Sequence, residues 1–485
     1  MSVSENLNQE GWNFRNSYQQ LPTEFFESTK PKEALNPDLL ILNKDLASLL
    51  HLDFSKCSST YLANLFAGNT IPSQASPIAL AYAGHQFGHF TRLGDGRAIL
   101  LGEHLTPNGQ AFDIQFKGSG RTPFSRNGDG LATLEAMLKE YLFGEALTGL
   151  GIPSTRSLAL VKTGELVYRE KPSHRAIITR VANSHIRVGT FEYAARLGPN
   201  YLKALADYAI ERHYPHCMKT DSPYLALLEE VIQAQALLVA KWMSIGFIHG
   251  VLNTDNVLIS GESIDFGPCA FMDAFSTSTV FSSIDVHGRY AYGEQASITL
   301  WNLCRFAECL IPLIEIKHPE NGIEKAQEAL EKFQDCYQAN WAMEFCKKIG
   351  FDKVTPESTK LAIDLLNQMQ DLKLDFTWAF RQLAHGKLPN YALENWKNEW
   401  RTVLSNEGIS FDLAQQLMLQ TNPAIIPRNH EIDRIIKDAA VSCKMDEYRE
   451  LIEVLKSPFS KDFDSHPLAK PSDSDLPHFV TYCGT

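Results

Sequence analysis

The sequence predicts an α+β protein with two lobes, a small lobe built on an antiparallel sheet and a large helical lobe, with extensions at both termini. Three observations predict this class. Residues 81–190 are rich in glycine and strand-like in places, Asn108-Gly109 separates two apolar runs, and residues 222–455 follow a helical period. A chain of 485 residues, 44% of them hydrophobic, can bury the core that two lobes require.

Four regions are expected along the chain. Residues 1–80 form an N-terminal extension packed on the core, and residues 81–221 form the small lobe. Residues 222–456 form the helical lobe, and residues 457–485 form a tail rich in Pro, Asp and Ser. The sequence contains no internal repeat. Its composition, 44% hydrophobic and 21% charged residues, excludes a mostly disordered chain, a coiled coil and a collagen-like repeat.

Composition and charge exclude several classes of partner. The chain has 45 Lys and Arg against 57 Asp and Glu, a formal charge of −12, which argues against broad affinity for nucleic acid or for an anionic membrane. No uninterrupted stretch of 18 apolar residues and no signal sequence is present. Nine scattered cysteines are typical of reduced thiols. We therefore expect a cytoplasmic protein without a nucleic-acid or membrane partner.

The small lobe is expected to begin its central hairpin at Ala98. The apolar run that starts there and the run Ala111–Lys117 flank Asn108-Gly109, and both of these turn residues tolerate a positive φ. Lys117 therefore lies at the end of the second strand. Residues 118–130 follow with four glycines and two arginines, a composition that can wrap closely around an anion.

A buried helix is predicted from about Leu131 to Gly149, because apolar residues cover nearly its whole circumference. Glu140 has only apolar or small residues three and four positions away, so its carboxylate requires a cation from elsewhere in the fold. Lys117, on the preceding strand, is a reasonable candidate. Glu145 has no local partner either, and the sequence leaves it open.

A second long helix, predicted over residues 222–244, leads into a motif-rich stretch. His249, Leu252 and Asn256 match the spacing of the protein-kinase catalytic loop, H-R-D-L-x-x-x-N. The segments Val257–Ile259 and Ser263–Phe266 are expected to form a short hairpin that delivers Asp265-Phe266-Gly267. A strand lysine and a buried helix glutamate precede them in the kinase order, so the two lobes are expected to form a protein-kinase-like fold.

Together these features describe a site for a nucleoside triphosphate and a metal ion. Asn256 and Asp265 offer the hard oxygen ligands that Mg²⁺ or Mn²⁺ prefers when it bridges phosphates. Lys117 would neutralise phosphate charge, and Glu140 would hold the lysine in place. The kinase general base is missing, because its position is occupied by Val251. Asp255 is the obvious replacement carboxylate.

Long ordered motifs make the chain similar to the selenoprotein O family of kinase-like proteins, as a cysteine-containing, bacterial-type member. The matching stretches lie within residues 81–290, and Asn422–Asn429 and Cys483 extend the match over most of the chain. They are Gly84-His-Gln-Phe-Gly-His-Phe, residues 93–103, Gln115–Thr155, Thr179-Arg-Val-Ala, residues 185–190 and His249–Pro268.

The resemblance implies an adenylyltransferase. ATP lies reversed compared with its orientation in a kinase, AMP passes to Ser, Thr or Tyr hydroxyls of proteins, and pyrophosphate leaves. By motif match, Asp255 is the base and Asn256 and Asp265 are the metal ligands, with Glu140 supporting the lysine. The positions that match the family's nucleotide contacts are Gly94, Gly96, Arg97, Lys117, Asp129, Gly130, Arg180, Arg187 and Asp265.

The resemblance also implies a special residue third from the end, which in some members is selenocysteine. That position is Cys483 here, and a thiol is less acidic than a selenol, so a redox role is weakened. Family members pair this residue with a cysteine in the loop after Asp-Phe-Gly. Residues 270–303 contain no cysteine, although Cys269 and Cys304 flank them.

Structural roles remain open for several of these residues. Asp129 is also a candidate N-cap of the following helix, and Asp255 a candidate brace of its own loop. Arg180 and Arg187 are equally candidates for solvated surface arginines. At the level of function, the alternatives are phosphoryl transfer with Asp255 as a displaced kinase base, and a pseudokinase scaffold that binds ATP without chemistry.

Overall fold

The computed structural model describes residues 10–86, 88–315, 318–473 and 476–482. Nearly all strands within these residues lie before residue 183. Within those residues the strands are β1 (Phe14–Arg15), β2 (Phe26–Ser28), β3 (Asp38–Leu42), β4 (Ile78–Leu80), β5 (Ala83–Gln86), β6 (His89–Arg92), β7 (Ala98–Leu105), β8 (Ala111–Lys117), β9 (Ala132–Thr133), β10 (Arg156–Tyr168), β11 (Pro172–Ala182), β12 (Phe247–Ile248) and β13 (Ala270–Phe271).

One antiparallel sheet forms the small lobe, with the strand order β2-β4-β7-β8-β11-β10-β3 and with β1 and β9 added beside β7 and β11. Strands β5 and β6 form a separate two-stranded sheet, as do β12 and β13. The predicted Asn-Gly hairpin is confirmed: Leu105 pairs with Ala111, and Gly109 has a φ of 86°. Lys117 ends β8, as predicted, and faces Ile178 of β11.

Helices make up most of the rest of the described chain. They are α1 (Lys44–Leu49), α2 (Ser59–Ala67), α3 (Leu134–Gly149), α4 (Val188–Leu197), α5 (Pro199–His213), α6 (Pro223–Ser244), α7 (Gln295–Ile314), α8 (Pro319–Lys348), α9 (Pro356–Asp371), α10 (Phe376–Ala384), α11 (Glu394–Asn406), α12 (Phe411–Thr421), α13 (Asn429–Ser442) and α14 (Asp446–Leu455). This sheet lobe followed by a helical lobe confirms the predicted two-lobed α+β class.

Helix α3 joins the two lobes. It begins at Leu134 rather than near Leu131, because residues 132–133 pair with β11 and the Thr133 side chain caps the helix by accepting from Ala136 N. Its Phe143 ring stacks on the ring of Phe266 at 6.4 Å. From the other side, Tyr448 Oη of α14 donates to Leu138 O at 2.7 Å. Most of the helix is therefore buried, as its apolar circumference predicts, and Glu135 in its first turn is exposed.

The structure describes all of residues 257–266, and the prediction of a hairpin there is wrong. The two predicted strands pair with distant segments instead of with each other: Val188 N donates to Val257 O at 2.9 Å, and Thr155 N donates to Ser263 O at 2.9 Å. The turn at Gly261 does form, with a φ of 74°. Two flanking segments thus hold the stretch that ends in Asp265, and this fixes its path toward the sheet.

Two helical segments of the described chain, Pro223–Ser244 and Tyr292–Ile314, have the length and apolar composition that crossing a membrane requires. In each, about half of the most apolar window is buried inside the protein, 50% and 56% respectively. Core helices commonly meet the same criterion, so this finding is weak evidence for a membrane span.

The tail after α14 runs back over the protein. It contains two short 3-10 turns, Lys461–Phe463 and Pro467–Ala469. Near its end, Thr481 forms a β-bridge with Ser282, and its hydroxyl donates to Pro268 O at 2.9 Å. The tail therefore contacts the chain directly after Asp265-Phe266-Gly267. Cys483 lies outside the described residues.

Candidate active site

A buried ion cluster lies where the sheet, α3 and the loop at residue 265 meet. Lys117 Nζ donates to Glu140 Oε2 at 2.8 Å and to Asp265 Oδ1 at 2.6 Å. Lys117 and Glu140 are both buried. The cation that Glu140 requires is thus Lys117, as expected. Glu145, which the sequence left open, pairs instead with Arg156 at the start of β10, with a closest distance of 2.5 Å.

Two arginines complete the cluster. Arg180 on β11 donates to Asp265 Oδ1 at 2.7 Å and to Glu140 Oε1 at 2.5 Å. Arg187, just before α4, donates to Asp265 Oδ2 at 3.1 Å. Both arginines are buried, so the interpretation as surface residues is wrong. Three cations surround two carboxylates, and the cluster carries a surplus of one positive charge, which favours a polyanionic ligand.

Asp265 has both an unusual pKa and an unusual backbone conformation. Burial alone would raise the pKa of its carboxyl, but Lys117, Arg180 and Arg187 together hold that pKa well below its ordinary value. Its backbone has a φ of 64°, in the left-handed region that few non-glycine residues adopt. Such backbone conformations concentrate at functional sites, because the surrounding contacts must over-determine them.

Asp255 presents a buried carboxylate with an unused oxygen. Its Oδ1 has no hydrogen-bond partner among the described residues. The side chain lies so close to Gly84 that a Cβ at that glycine would come within 2.4 Å of Oδ1. Burial raises the pKa of Asp255 to about 6, with Arg187 opposing that rise. The backbone oxygen of Asp255 accepts from Arg187, and this contact helps to hold the loop.

The loop around Asp255 rests on a network that the sequence did not reveal. Thr254 Oγ1 donates to Glu192 Oε2 at 2.6 Å and accepts from His85 N at 2.7 Å. The His85 ring also contacts Glu192 directly. Thr254 and Glu192 are buried, and His85 is more than half buried. The only signal for this network in the sequence was the presence of histidines beside loop glycines. Such histidines usually have a structural role.

Asn256 and Asp265 provide oxygens of the kind that Mg²⁺ or Mn²⁺ prefers. The Asn256 amide nitrogen donates to Val251 O at 3.0 Å, so the amide oxygen is the atom left for a cation. No group of three or more His, Cys, Asp and Glu side chains suited to a metal occurs within the described residues. The residues fit a cation that takes its other ligands from phosphates and water, as Mg²⁺ usually does in proteins.

The glycines before β7 allow the glycine-rich loop of residues 118–130 to approach closely. Gly94 has a φ of 139°, and a Cβ there would come within 2.4 Å of the Phe124 ring. Next to Gly96, Arg97 O accepts from Gly118 N at 2.7 Å. Gly130 packs directly against Gly120, where a Cβ would lie 2.1 Å from the carbonyl oxygen. These glycines therefore join two segments and do more than form a turn.

Asp129 lies apart from the ion cluster. Its carboxylate pairs with Arg169 at 2.8 Å and accepts from Leu131 N at 2.9 Å. The N-cap of α3 is Thr133, so the alternative that Asp129 caps this helix is wrong. The structure does not bring Asp129 into contact with Lys117 or Asp265.

Three residues behind the cluster were not predicted from the sequence. Asp95 Oδ2 accepts from Gln115 Nε2 at 3.0 Å, and Gln115 Oε1 accepts from Arg180 at 3.4 Å. Burial raises the pKa of Asp95 to about 6. The Tyr82 ring lies 4.6 Å from the guanidinium of Arg187. A polar Gln within an apolar strand was the available signal, because a buried amide requires partners.

Comparison with known protein families gives one match over most of the chain. The family described as "Protein adenylyltransferase SelO" matches residues 9–456. Relatives named "Protein nucleotidyltransferase YdiU" are 48% identical in Shouchella clausii over 482 residues and 49% identical in Anoxybacillus flavithermus over 479 residues. Each of these alignments covers 98% of this chain and 99% of the relative.

Among solved structures, this chain is similar to ROP2 from Toxoplasma gondii, described as a virulence factor with a protein-kinase fold and no enzymatic activity. The TM-score is 0.27 at 12% sequence identity, and the alignment covers 60% of this chain and 87% of that one. A score this low carries no argument about function. The kinase-like arrangement rests instead on the contacts of Lys117, Glu140 and Asp265 described above.

Proposed function

The chain belongs to the SelO family of protein adenylyltransferases, and from that membership we propose that it transfers AMP from ATP to Ser, Thr or Tyr hydroxyls of proteins. It is an enzyme of the nucleotidyltransferase class with protein substrates. Pyrophosphate leaves, and the reaction depends on Mg²⁺ or Mn²⁺.

The observation that carries this proposal is an unpaired carboxylate beside a cluster with surplus positive charge. Asp255 Oδ1 has no hydrogen-bond partner in the described part of the chain, and Arg187 links the Asp255 backbone to Asp265. A kinase would place its base at Val251, which accepts no proton. A base at residue 255 with phosphate-binding cations nearby supports transfer to a hydroxyl from a differently oriented nucleotide.

The steps follow from the charges. Lys117, Arg180 and Arg187 bind the phosphate oxygens, and Glu140 keeps the lysine in position. Asp255 accepts the proton of the acceptor hydroxyl. The hydroxyl oxygen then attacks the α-phosphorus, the bond from that phosphorus to the bridging oxygen breaks, and pyrophosphate departs with the electron pair. Contacts from Gly94, Gly96, Arg97, Asp129 and Gly130 to the nucleotide belong to the same proposal.

Asn256 and Asp265 would hold the divalent cation, which supplies neutralisation of phosphate charge during transfer. To bind the metal, Asp265 would have to give up part of its contact with Lys117, Arg180 and Arg187. Because ATP would bring its own negative charge to those cations, the site is expected to bind metal and nucleotide together rather than metal alone.

A paired label experiment tests the proposal. The purified protein, with Mg²⁺ or Mn²⁺, is incubated with acceptor proteins and with ATP that carries label on either the α- or the γ-phosphate. We expect label to enter protein only from α-labelled ATP and to disappear when a chelator removes the metal. Label entering only from γ-labelled ATP would establish phosphoryl transfer. ATP binding without transfer of either label would establish a pseudokinase scaffold.

We also propose that the protein works in the cytoplasm, without a nucleic-acid or membrane partner. The formal charge of −12 and eight free thiols among the described cysteines support a reducing compartment and a non-basic partner. A redox role for Cys483 belongs to the same set of proposals.

A further inference from the structure

A cavity of about 810 Å³ opens next to the loop of Asp255, outside the ion cluster. Its lining consists of residues 284–289, which follow Asp265-Phe266-Gly267 along the chain, and of Glu294, Ser297, Ile298 and Trp301. This volume is in the range of sites that bind a ligand or a few residues of a partner chain. We refer to this cavity as the 284–301 groove.

Two contacts connect the groove to Asp255. The Trp301 ring packs edge-on against the His85 ring, with centroids 5.5 Å apart, and the neighbouring Gly84 touches the Asp255 carboxylate. Separately, Tyr290 Oη donates to Asn253 Oδ1, two residues before Asp255. Two separate contacts therefore join the lining of the groove to the loop that carries Asp255.

The lining combines apolar surface with one arginine, Arg289. Val286 is 83% exposed and Ile284 is 50% exposed, so an apolar rim faces solvent. The Arg289 guanidinium lies 4.8 Å from the Trp301 ring centroid. The Arg289 side chain also forms a hydrogen bond with the Tyr290 hydroxyl. In the parts of the chain that the structure describes, it has no ion pair with a carboxylate within 4.0 Å, and its Nε is buried without a hydrogen-bond partner. The lining also contains two carboxylates: Asp285 is turned into its own loop, where it accepts from Arg289 N and Tyr290 N, and Glu294 is exposed.

We propose that the 284–301 groove binds the acceptor polypeptide, as an extended segment with an apolar side chain and an acidic side chain near the modified hydroxyl. The apolar side chain covers the Val286 rim, and the acidic one pairs with Arg289. A small molecule inside the cavity would leave the rim in water, whereas a polypeptide covers it. This inference rests on the proposed function and names the chemistry of its acceptor.

Peptide binding tests the inference without requiring transfer. Two fluorescent peptides of about ten residues each have a central Ser next to Leu, followed by either two Glu or two Lys. Anisotropy is measured with a non-hydrolysable ATP analogue present. The Glu peptide should bind about tenfold more tightly than the Lys peptide, and Arg289→Glu should reverse the preference. Val286→Ser should weaken both peptides by about threefold or more.

Matched controls and a transfer assay separate the outcomes. Arg401→Glu, at an exposed arginine over Phe411, and Val441→Ser, at a valine 82% exposed, should leave peptide binding unchanged. Equal binding of the two peptides by the wild type, or an unaltered preference in Arg289→Glu, would overturn the inference. So would a change of oligomeric state in the two groove variants, since a second copy would then be the occupant. A correct charge preference without AMP transfer from α-labelled ATP would refute the proposed function alone.

Discussion

Asp255 and Val251 show how two residues of one loop separate this site from a kinase. The side chain at the kinase base position accepts no proton, while the carboxylate four residues later has a buried oxygen without a partner within the described chain. The hydrogen bond from Arg187 to Asp255 goes to the backbone oxygen and not to the carboxylate. The carboxylate can therefore be neutralised with little disturbance of the ion cluster.

Asp255→Asn should lower kcat by ~10²–10⁴, because the hydroxyl loses its proton acceptor, while the dissociation constant for ATP stays nearly unchanged. Steady-state transfer of α-label and equilibrium binding of ATP measure the two effects. Asp446→Asn, at an aspartate that is 90% exposed on α14, is the matched control and should change neither. An equal loss of rate and of ATP affinity would identify Asp255 as a brace of the loop.

Asp265 combines a left-handed backbone with contacts to three cations. Both Asp265→Asn and Asp265→Ala should abolish metal-dependent transfer. Asparagine tolerates a positive φ and keeps an acceptor oxygen, so Asp265→Ala should also have the lower Tm, by about 2 °C or more. Thermal unfolding without nucleotide measures this difference. Equal Tm values for the two variants would show that the backbone and the acceptor contribute nothing to stability.

Part of the site could be predicted from single residues, and part could not. The pairing of Lys117 with Glu140 follows from a buried carboxylate without a local partner. The network of Asp95, Gln115 and Arg180 joins strands that are far apart in sequence, so only the fold brings its members together.

At the scale of elements, a turn signal in the sequence predicted a hairpin correctly only where the two segments beside the turn pair with each other. The Asn-Gly turn succeeded because β7 and β8 pair with each other. The segment from 257 to 266 has a turn at Gly261, but its backbone pairs with residues near 154 and 187. A turn signal alone does not reveal which strand lies across from a segment.

The contact between the glycine-rich loop and Gly94 provides a test at the same scale. Gly94→Ala should displace Phe124, because the added methyl would lie 2.4 Å from its ring, and should weaken ATP binding by about tenfold. Gly109→Ala is the matched control: that residue also has a positive φ, but its Cβ would meet nothing within 4 Å. Both variants carry the backbone strain, and only Gly94→Ala has the clash. Similar ATP affinities for the two would refute a role of this contact.

Across the whole molecule, α3 connects the sheet, the ion cluster and the C-terminal helices. The sheet itself includes β2, β3 and β4 from the first 80 residues, so the N-terminal region completes the lobe that holds Lys117. Contacts from α14 to α3 and from Thr481 to the chain after Asp265 extend the same framework to the tail. The helical period of the C-terminal half predicted its class, but not these returns toward the small lobe, which depend on contacts between distant segments.

A buried lysine in the helical lobe makes the stability of the whole molecule depend on pH. Lys348 ends α8 and is 1% exposed, and its Nζ lies 4.3 Å from the Phe380 ring centroid. None of the described carboxylates lies within 4.0 Å of it. Burial lowers its pKa from 10.5 to about 7, although Glu344 opposes the shift. Near or below pH 7 the folded protein therefore holds a poorly solvated charge, at a cost on the order of 5 kcal/mol.

Lys348→Met should remove that cost while keeping the apolar stem against Phe380. Below about pH 7 both folded and unfolded wild type are protonated at Lys348, so the penalty is fully present there. Between about pH 7 and 10.5 the folded state releases the proton and the unfolded state retains it, so wild-type stability rises with pH relative to the variant. The Tm of Lys348→Met should exceed that of the wild type by a few degrees at about pH 6, and the difference should shrink toward about pH 10. Lys353→Met, at an exposed lysine in the loop after α8, is the matched control and should show no such trend. A variant less stable than wild type throughout this range would mean that the contact of the ammonium group with the Phe380 ring outweighs its loss of hydration.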